Sequence, residues 1–258
     1  MSAAIRFSIA PVRSLGLQHP DFIDVTATGV VEDRRFYLID DHDFLVDRII
    51  VGELVQVSSQ TNAAADWLRL DLPDGRVVED AVELGDAIES PIHGRTAVGH
   101  VVVGPWAEAL EGIAGRRVRL VRTDRPGGTR IGNPASLVTR GSIDELARQV
   151  GAPSVDARRF RMLIELDGTE PHAEDAWLGH RIAIGGAILR VTERDARCAI
   201  TTQDPDSGHR DLDTLRTIIR YRGLMPDAHG APKAMFGVLA AVEQPGRISL
   251  GDEVAVLD

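Results

Sequence analysis

Arg35-Phe36-Tyr37-Leu38-Ile39-Asp40-Asp41-His42-Asp43-Phe44-Leu45-Val46 sets an apolar run against a polar turn and a second, returning apolar run. The first run is too short for a helix and is rich in aromatic and branched side chains, which suit a pleated surface. The stretch reads as a β-hairpin. Working outward, residues 5–9 read as a strand ended by Pro11, and residues 25–27 as another ended by Gly29. Residues 55–58 continue the pattern. Residues 68–72 alternate with period two before Pro73-Asp74-Gly75 turns them into Val77-Val78. The first third is therefore expected to form a small antiparallel sheet or barrel.

Helices are fewer. Residues 105–114 place Trp106, Leu110 and Ile113 on one face behind a proline. Ser142-Ile143-Asp144-Glu145 has the form of a capping box and predicts a helix to about residue 150. Residues 211–221 are amphipathic, with Leu215, Ile218 and Ile219 inward. Strands are expected at 117–121, 161–166, 182–184, 187–191, 236–242 and 248–256. The chain has 258 residues with 43% hydrophobic but only 4% aromatic side chains, and its 25 glycines and 13 prolines punctuate turns. Length allows one large or two small domains. The loop-like Arg125-Pro126-Gly127-Gly128-Thr129 marks a boundary, giving expected units at 1–124 and 125–258. The fold class expected is mostly β with a few helices (α+β).

With 29 basic and 39 acidic residues the formal charge is −10. Such a surface repels phosphate backbones and acidic membranes, which argues against nucleic-acid and membrane-surface roles. No apolar run is long enough to span a bilayer, and the first residues lack the pattern of a secretory leader, so a cytoplasmic location is expected. Walker and dinucleotide glycine motifs are absent, and Gly127-Gly128 and Gly185-Gly186 read as loop glycines.

Cys198 is the single cysteine. It follows a strand and precedes Asp204-Pro205-Asp206-Ser207-Gly208, which is turn chemistry throughout. Three readings stay open at this point: a small buried hydrophobe, a reactive thiol, or a ligand to a metal or cofactor. Nearby Arg194 and Arg197 would favour a thiolate, and Asp195 opposes them. His93, His172 and His209 fall in loop-like segments and read as solvated. Glu170 to Asp175 reads as a hydrated acidic loop, with cation binding as the alternative. Arginines cluster in Pro11-Val12-Arg13-Ser14, Glu32-Asp33-Arg34-Arg35 and Arg158-Arg159-Phe160-Arg161, and guanidinium forks at strand ends suit an anion.

Taken in order, these segments resemble the MOSC family, named for the C-terminal domain of molybdenum-cofactor sulfurases. The most specific stretch is Arg197-Cys198-Ala199-Ile200-Thr201-Thr202 with the Asp204 loop after it. Further matches are Pro11 to Ser14, Asp33 to Leu38, Phe44 to Arg48, Arg159-Phe160-Arg161, Glu174 to Gly179, Phe236-Gly237 and Pro245 to Val254. The resemblance is to two-part members, and implies a small N-terminal β-barrel or sheet domain followed by a MOSC-type β-barrel domain. It implies molybdenum cofactor (molybdopterin) binding, with Cys198 as metal ligand and catalytic centre. Arg13, Ser14, Arg34, Arg35, Thr139, Arg159 and Arg161 would be the other cofactor-binding residues. The family is also associated with pyridoxal phosphate. Where members usually follow Arg-Phe-Arg with Pro-Asn, this chain has Met162-Leu163. The implied activity is an oxidoreductase acting on N-hydroxylated or related N–O substrates. Its electrons would come from a separate protein, because no cysteine cluster accompanies the site. A sulfur carrier or transferase bearing a Cys198 persulfide, and a cofactor-free binding module, are the alternatives.

Overall fold

The computed structural model describes residues 2–129, 133–168 and 170–258. The hairpin forms as expected: Phe36–Ile39 pairs antiparallel with Leu45–Val46, and the Asp40 carboxylate closes the turn by accepting from the amides of His42 and Phe44 at 2.9 and 3.0 Å. All four residues of Phe36–Ile39 are buried. Because side chains alternate across a strand, Phe36 and Leu38 enter one core while Tyr37 and Ile39 enter another. This strand lies inside a five-stranded sheet ordered Leu45–Val46, Phe36–Ile39, Arg119–Thr123, Arg95–Val103, Glu83–Ile92. The long Glu83–Ile92 and Arg95–Val103 hairpin was not legible in the sequence, since Gly85, Pro91 and Gly99 interrupt its pattern.

A three-stranded sheet (Ser58–Thr61, Trp67–Asp71, Val77–Ala81) and helix α1 (Trp106–Ala114) complete this first body. Its core holds Leu54, Leu68, Leu70, Trp106 and Leu110, and the Trp106 indole donates to the Leu68 carbonyl at 3.0 Å.

The second body is a seven-stranded sheet. Its order is Ala4–Phe7, Ile164–Leu166, Ala135–Thr139, Met235–Gln244, Ala187–Ala196, Arg181–Ile184, Val254–Val256. Only the pair between Ala135–Thr139 and Ile164–Leu166 is parallel. The two outer strands meet through the Ala3–Glu253 bridge and hydrogen bonds from Ala4 to Asp252 and from Gly251 to Ala4. The sheet thereby curls into a half-barrel whose outer strands touch at one end. Leu137, Leu163, Ile182, Leu189 and Val238 fill it. Helices α2 (Arg140–Val150) and α3 (Thr214–Arg222) pack outside, over Phe160, Met162 and Phe236.

Several expectations are corrected. The strands of the first third do not form one sheet of their own. Ala4–Phe7 belongs to the half-barrel, and Phe22–Thr26 pairs with Gly246–Ser249. Residues 4–9 and 23–30 therefore share their core with the second half, while Val12 and Leu15 between them enter the core of the first body, and hydrogen bonds join strands on either side of 124/125. Residues 52–56 form a 3-10 helix instead of the start of a strand, because Gly52 packs backbone to backbone on Gly208. Strand 161–166 begins only at Ile164, since Arg161 is left-handed at φ 52°. Residues 248–256 are broken by a turn into Gly246–Ser249 and Val254–Val256. Helix α2 is capped by Thr139 and not by Ser142, whose hydroxyl donates to Glu174 while Glu145 turns to Arg148. No helix among the described residues is long and apolar enough to cross a membrane.

Candidate functional site

A cleft of about 200 Å³, open to solvent, lies where the two bodies meet. From the first body come Arg13, Ser14, Arg34, Asp47 and Arg48. From the second come Asn133, Ser136, Phe160, Arg161, Asp195, Arg197, Cys198 and Thr201. Five arginines thus face two aspartates in a chain whose net charge is −10. Seven non-glycine residues among those described have left-handed backbones, and three of them, Ser14 (φ 76°), Arg34 (φ 54°) and Arg161 (φ 52°), line this cleft. Strain of this kind persists where surrounding contacts enforce it, and it concentrates at functional sites.

Cys198 sits two residues past the end of Ala187–Ala196 and caps the 3-10 helix Ala199–Thr202. Its carbonyl is pinned by the Thr201 amide at 3.3 Å and the Thr201 hydroxyl at 3.1 Å, and its thiol side is exposed. The reading of Cys198 as a buried small hydrophobe is therefore excluded. Thr214 donates to Thr201 at 3.0 Å and supports the same turn. The Asp204 loop is as rigid as its composition suggests. Its carboxylate accepts from the Ser207 amide and hydroxyl at 2.7 and 2.8 Å and from the Asp206 amide at 3.1 Å. Against a burial cost, these bonds hold Asp204 below the ordinary carboxylate range.

Gln203 joins this loop to the first body. Its side-chain oxygen accepts from Arg48 Nε at 2.9 Å, and its amide nitrogen donates to the Arg48 carbonyl at 2.7 Å. Burial, with Arg159 nearby, lowers the Arg48 guanidinium to about 10. Burial and then the charges of Arg48, Arg34 and Arg13 push Arg161 well below its ordinary value. Arg197 pairs with Asp195, donates to the Phe160 carbonyl, and lies 5.3 Å from the Phe160 ring centroid. Arg194, expected beside the thiol, instead pairs with Asp175 at 3.1 Å.

Of the residues singled out in the sequence, Cys198, Arg13, Ser14, Arg34 and Arg161 converge on the cleft. Arg13 donates to the Thr129 carbonyl at 2.7 Å, and Arg34 pairs with the buried Asp33. Arg35, Thr139 and Arg159 are engaged elsewhere. Arg35 is buried within the first body and donates to the Ala63 carbonyl at 3.3 Å. Thr139 caps α2 and donates to Glu174 at 2.7 Å. Arg159 makes a two-pronged bond to Asp211 at 2.6 and 2.7 Å. Met162 and Leu163 are core residues that do not line the cleft, and the amide that does is Asn133. Asp47, Arg48, Asn133, Ser136 and Arg197 were not singled out as binding residues. Arg48 and Arg197 sat within matched segments, whereas nothing local marks Asn133 or Ser136.

The reading of His172 as a solvated residue is overturned. It packs edge-on against Phe236 at 5.6 Å, contacts the Tyr221 hydroxyl at 3.1 Å, and accepts from Arg222. Burial, then Arg222, lowers it to about 4. Glu174 is likewise fully buried, and burial raises its carboxyl against the hydroxyls of Thr139 and Ser142 that donate to it. The segment 170–175 is thus not a simple hydrated loop, and no metal-binding cluster of His, Cys, Asp and Glu occurs among the described residues.

Residues 116–255 match the MOSC domain model. The chain is 32% identical over 128 residues to mitochondrial amidoxime-reducing component 1 of Mus musculus, covering 48% of this chain and 37% of that protein. It is 24% identical over 219 residues to the molybdenum cofactor sulfurase of Caenorhabditis briggsae, covering 82% of this chain and 30% of that one. The chain thus spans only about a third of the length of these curated relatives. Among solved structures, the YuaD protein of Bacillus subtilis superposes with a TM-score of 0.48 at 14% identity, covering 98% of this chain and 94% of that one. With a domain match extending over more than half of its residues, this chain belongs to the MOSC domain family.

Proposed function

We propose that this chain is a molybdenum-cofactor-dependent oxidoreductase that reduces N-hydroxylated or related N–O substrates with electrons from a separate protein. The observation that carries the reading is an exposed thiol, Cys198, on the wall of a cleft lined by five arginines. A soft sulfur donor suits molybdenum, and guanidinium forks suit a phosphate. The donors fit such a group on a further count: Arg197 Nε is buried without a hydrogen-bond partner among the described residues. Cys198 would ligate the metal, while Arg13, Ser14, Arg34, Arg161 and Arg197 would hold the anionic part. When bound, the cofactor supplies the two-electron chemistry. The chain's own residues orient it: the Thr201 bonds to the Cys198 carbonyl fix the turn, and the Arg48–Gln203 pair ties that turn to the first body.

Metal analysis of protein produced in a cofactor-competent host tests this. The expected result is stoichiometric molybdenum that is lost in Cys198→Ser while the variant's fold is retained. Metal-free wild-type protein from that host would overturn it, and a persulfide found on Cys198 by mass spectrometry would favour the sulfur-carrier reading.

A further inference from the structure

We propose that a second cavity, behind the cysteine cleft, is a binding site for a small phosphate- or sulfate-class oxyanion. This rear cavity has a volume of about 150 Å³ and shares Arg48 and Arg161 with the cleft. Arg48 is only 1% exposed, and Arg161 is held in a left-handed backbone conformation.

The two guanidinium groups are incompletely satisfied. Arg48 donates through Nε to the neutral Gln203 side chain, and through Nη2 to the Asp204 carbonyl at a long 3.5 Å. Arg161 donates through Nη2 to the Leu15 carbonyl at 2.9 Å. The remaining Nη1 of each is buried with no hydrogen-bond partner among the described residues. Among the described residues, no carboxylate forms an ion pair with either group. Asp204, Cys198 and Asp33 act on them only at longer range, and Arg159, Arg34 and Arg13 oppose the charge. The other charged groups of the cavity cancel. Arg158 is clamped by Asp206 at 2.7 and 2.9 Å and by Asp156 at 2.6 Å.

Two adjacent guanidinium groups, each with a buried and unpartnered Nη1 and no ion pair among the described residues, are costly, because buried charges are ordinarily paired. An oxyanion with several acceptor oxygens would take hydrogen bonds from both forks and relieve their mutual repulsion. It would sit between Gln56 on the first body and Pro205 and Asp206 on the loop that follows Cys198. Binding there would tighten the contact already made by Gln56, whose amide donates to the Ser207 carbonyl at 3.1 Å. Arg161 is also one of the groups proposed to hold the cofactor's anionic part, so the two readings share a residue, and phosphate binding that persists in Cys198→Ser separates them.

Calorimetric titration of inorganic phosphate into the full chain tests it. One saturable site is expected in the wild type, in Cys198→Ser, and in Arg34→Gln, because Arg34 lines the front cleft and not the rear cavity and acts on Arg161 only as a like charge. Gln56 is exposed, so Gln56→Glu places a carboxylate in the rear cavity without disturbing the core. It is expected to weaken phosphate binding by about ten-fold or more. Gln56→Ala, which also loses the Ser207 bond but adds no charge, should bind phosphate as the wild type does. Absence of saturable phosphate binding in the wild type would overturn the proposal. So would binding that survives Gln56→Glu and disappears in Arg34→Gln, because that would place the anion in the front cleft.

Discussion

Replacing Gln203 by leucine probes how the cysteine turn is attached to the rest of the molecule. Gln203 is 3% exposed and makes two reciprocal hydrogen bonds with Arg48, at 2.9 and 2.7 Å. Leucine fills nearly the same volume, so the perturbation is the loss of these bonds more than the opening of a cavity. One bond involves a charged donor, worth about 1.5–3 kcal/mol, and the other is neutral, worth about 0.5–1.5 kcal/mol. Both partners on Arg48 would be left buried and unsatisfied. A loss of about 2–4 kcal/mol in unfolding free energy is therefore expected from urea denaturation, with an unchanged denaturant slope. Hydrogen exchange in the native state should localise the effect. The Thr201 amide, bonded to the Cys198 carbonyl, should lose protection, while the amide of Leu137 inside the half-barrel should fall only as global stability does. A Gln203→Leu protein within about 0.5 kcal/mol of wild type would refute the view that this pair anchors the turn.

Three further outcomes follow from the structure. His172 is lowered from 6.5 to about 4, so the unfolded chain takes up a proton that the folded chain refuses. Stability should fall as pH drops from 6.5 towards 4, by at most about 3 kcal/mol and by about half of that once partial exposure is allowed for. His172→Gln should flatten this acid limb in pH-dependent denaturation, and an unchanged slope would count against the assignment. Glu174 acts in the opposite sense: burial raises its carboxyl above 4.5, so its contribution is present below that value and declines as pH rises through the folded value. Glu174→Gln should remove that decline in the same denaturation series. Gly208 has φ 80°, and a Cβ there would stand 2.0 Å from the Gly52 carbonyl oxygen. Gly208→Ala is expected to cost more than about 2 kcal/mol and to lower the melting temperature, whereas Gly75→Ala, also at positive φ but with open space around it, should pay only the backbone strain of about 1 kcal/mol.

Local patterning determined much of the outline. Apolar runs bounded by turn residues announced the Phe36–Ile39 hairpin, α1, and the strands that carry Cys198 into position, because strand and helix periodicity and turn chemistry are encoded within a few residues. The Arg-Cys-Ala-Ile-Thr-Thr stretch singled out the cysteine, and three arginine clusters marked the anionic character of what it faces. What the tertiary structure decided was partnership. Arg34 and Arg35 are neighbours in sequence, yet Arg34 lines the cleft and Arg35 is buried in the first body, a divergence set by the left-handed backbone at Arg34. Ala4–Phe7 joins the seven-stranded sheet and Phe22–Thr26 pairs with Gly246–Ser249, each with partners more than a hundred residues away, and that pairing is a matter of long-range hydrogen bonding that no local window contains. His172 and Glu174 look like solvated loop residues in isolation and become buried only because α2 and α3 close over them. Arg48 lies in a segment that reads as a hairpin end, and only the fold sets it against Gln203, 155 residues further on, as a wall between two cavities.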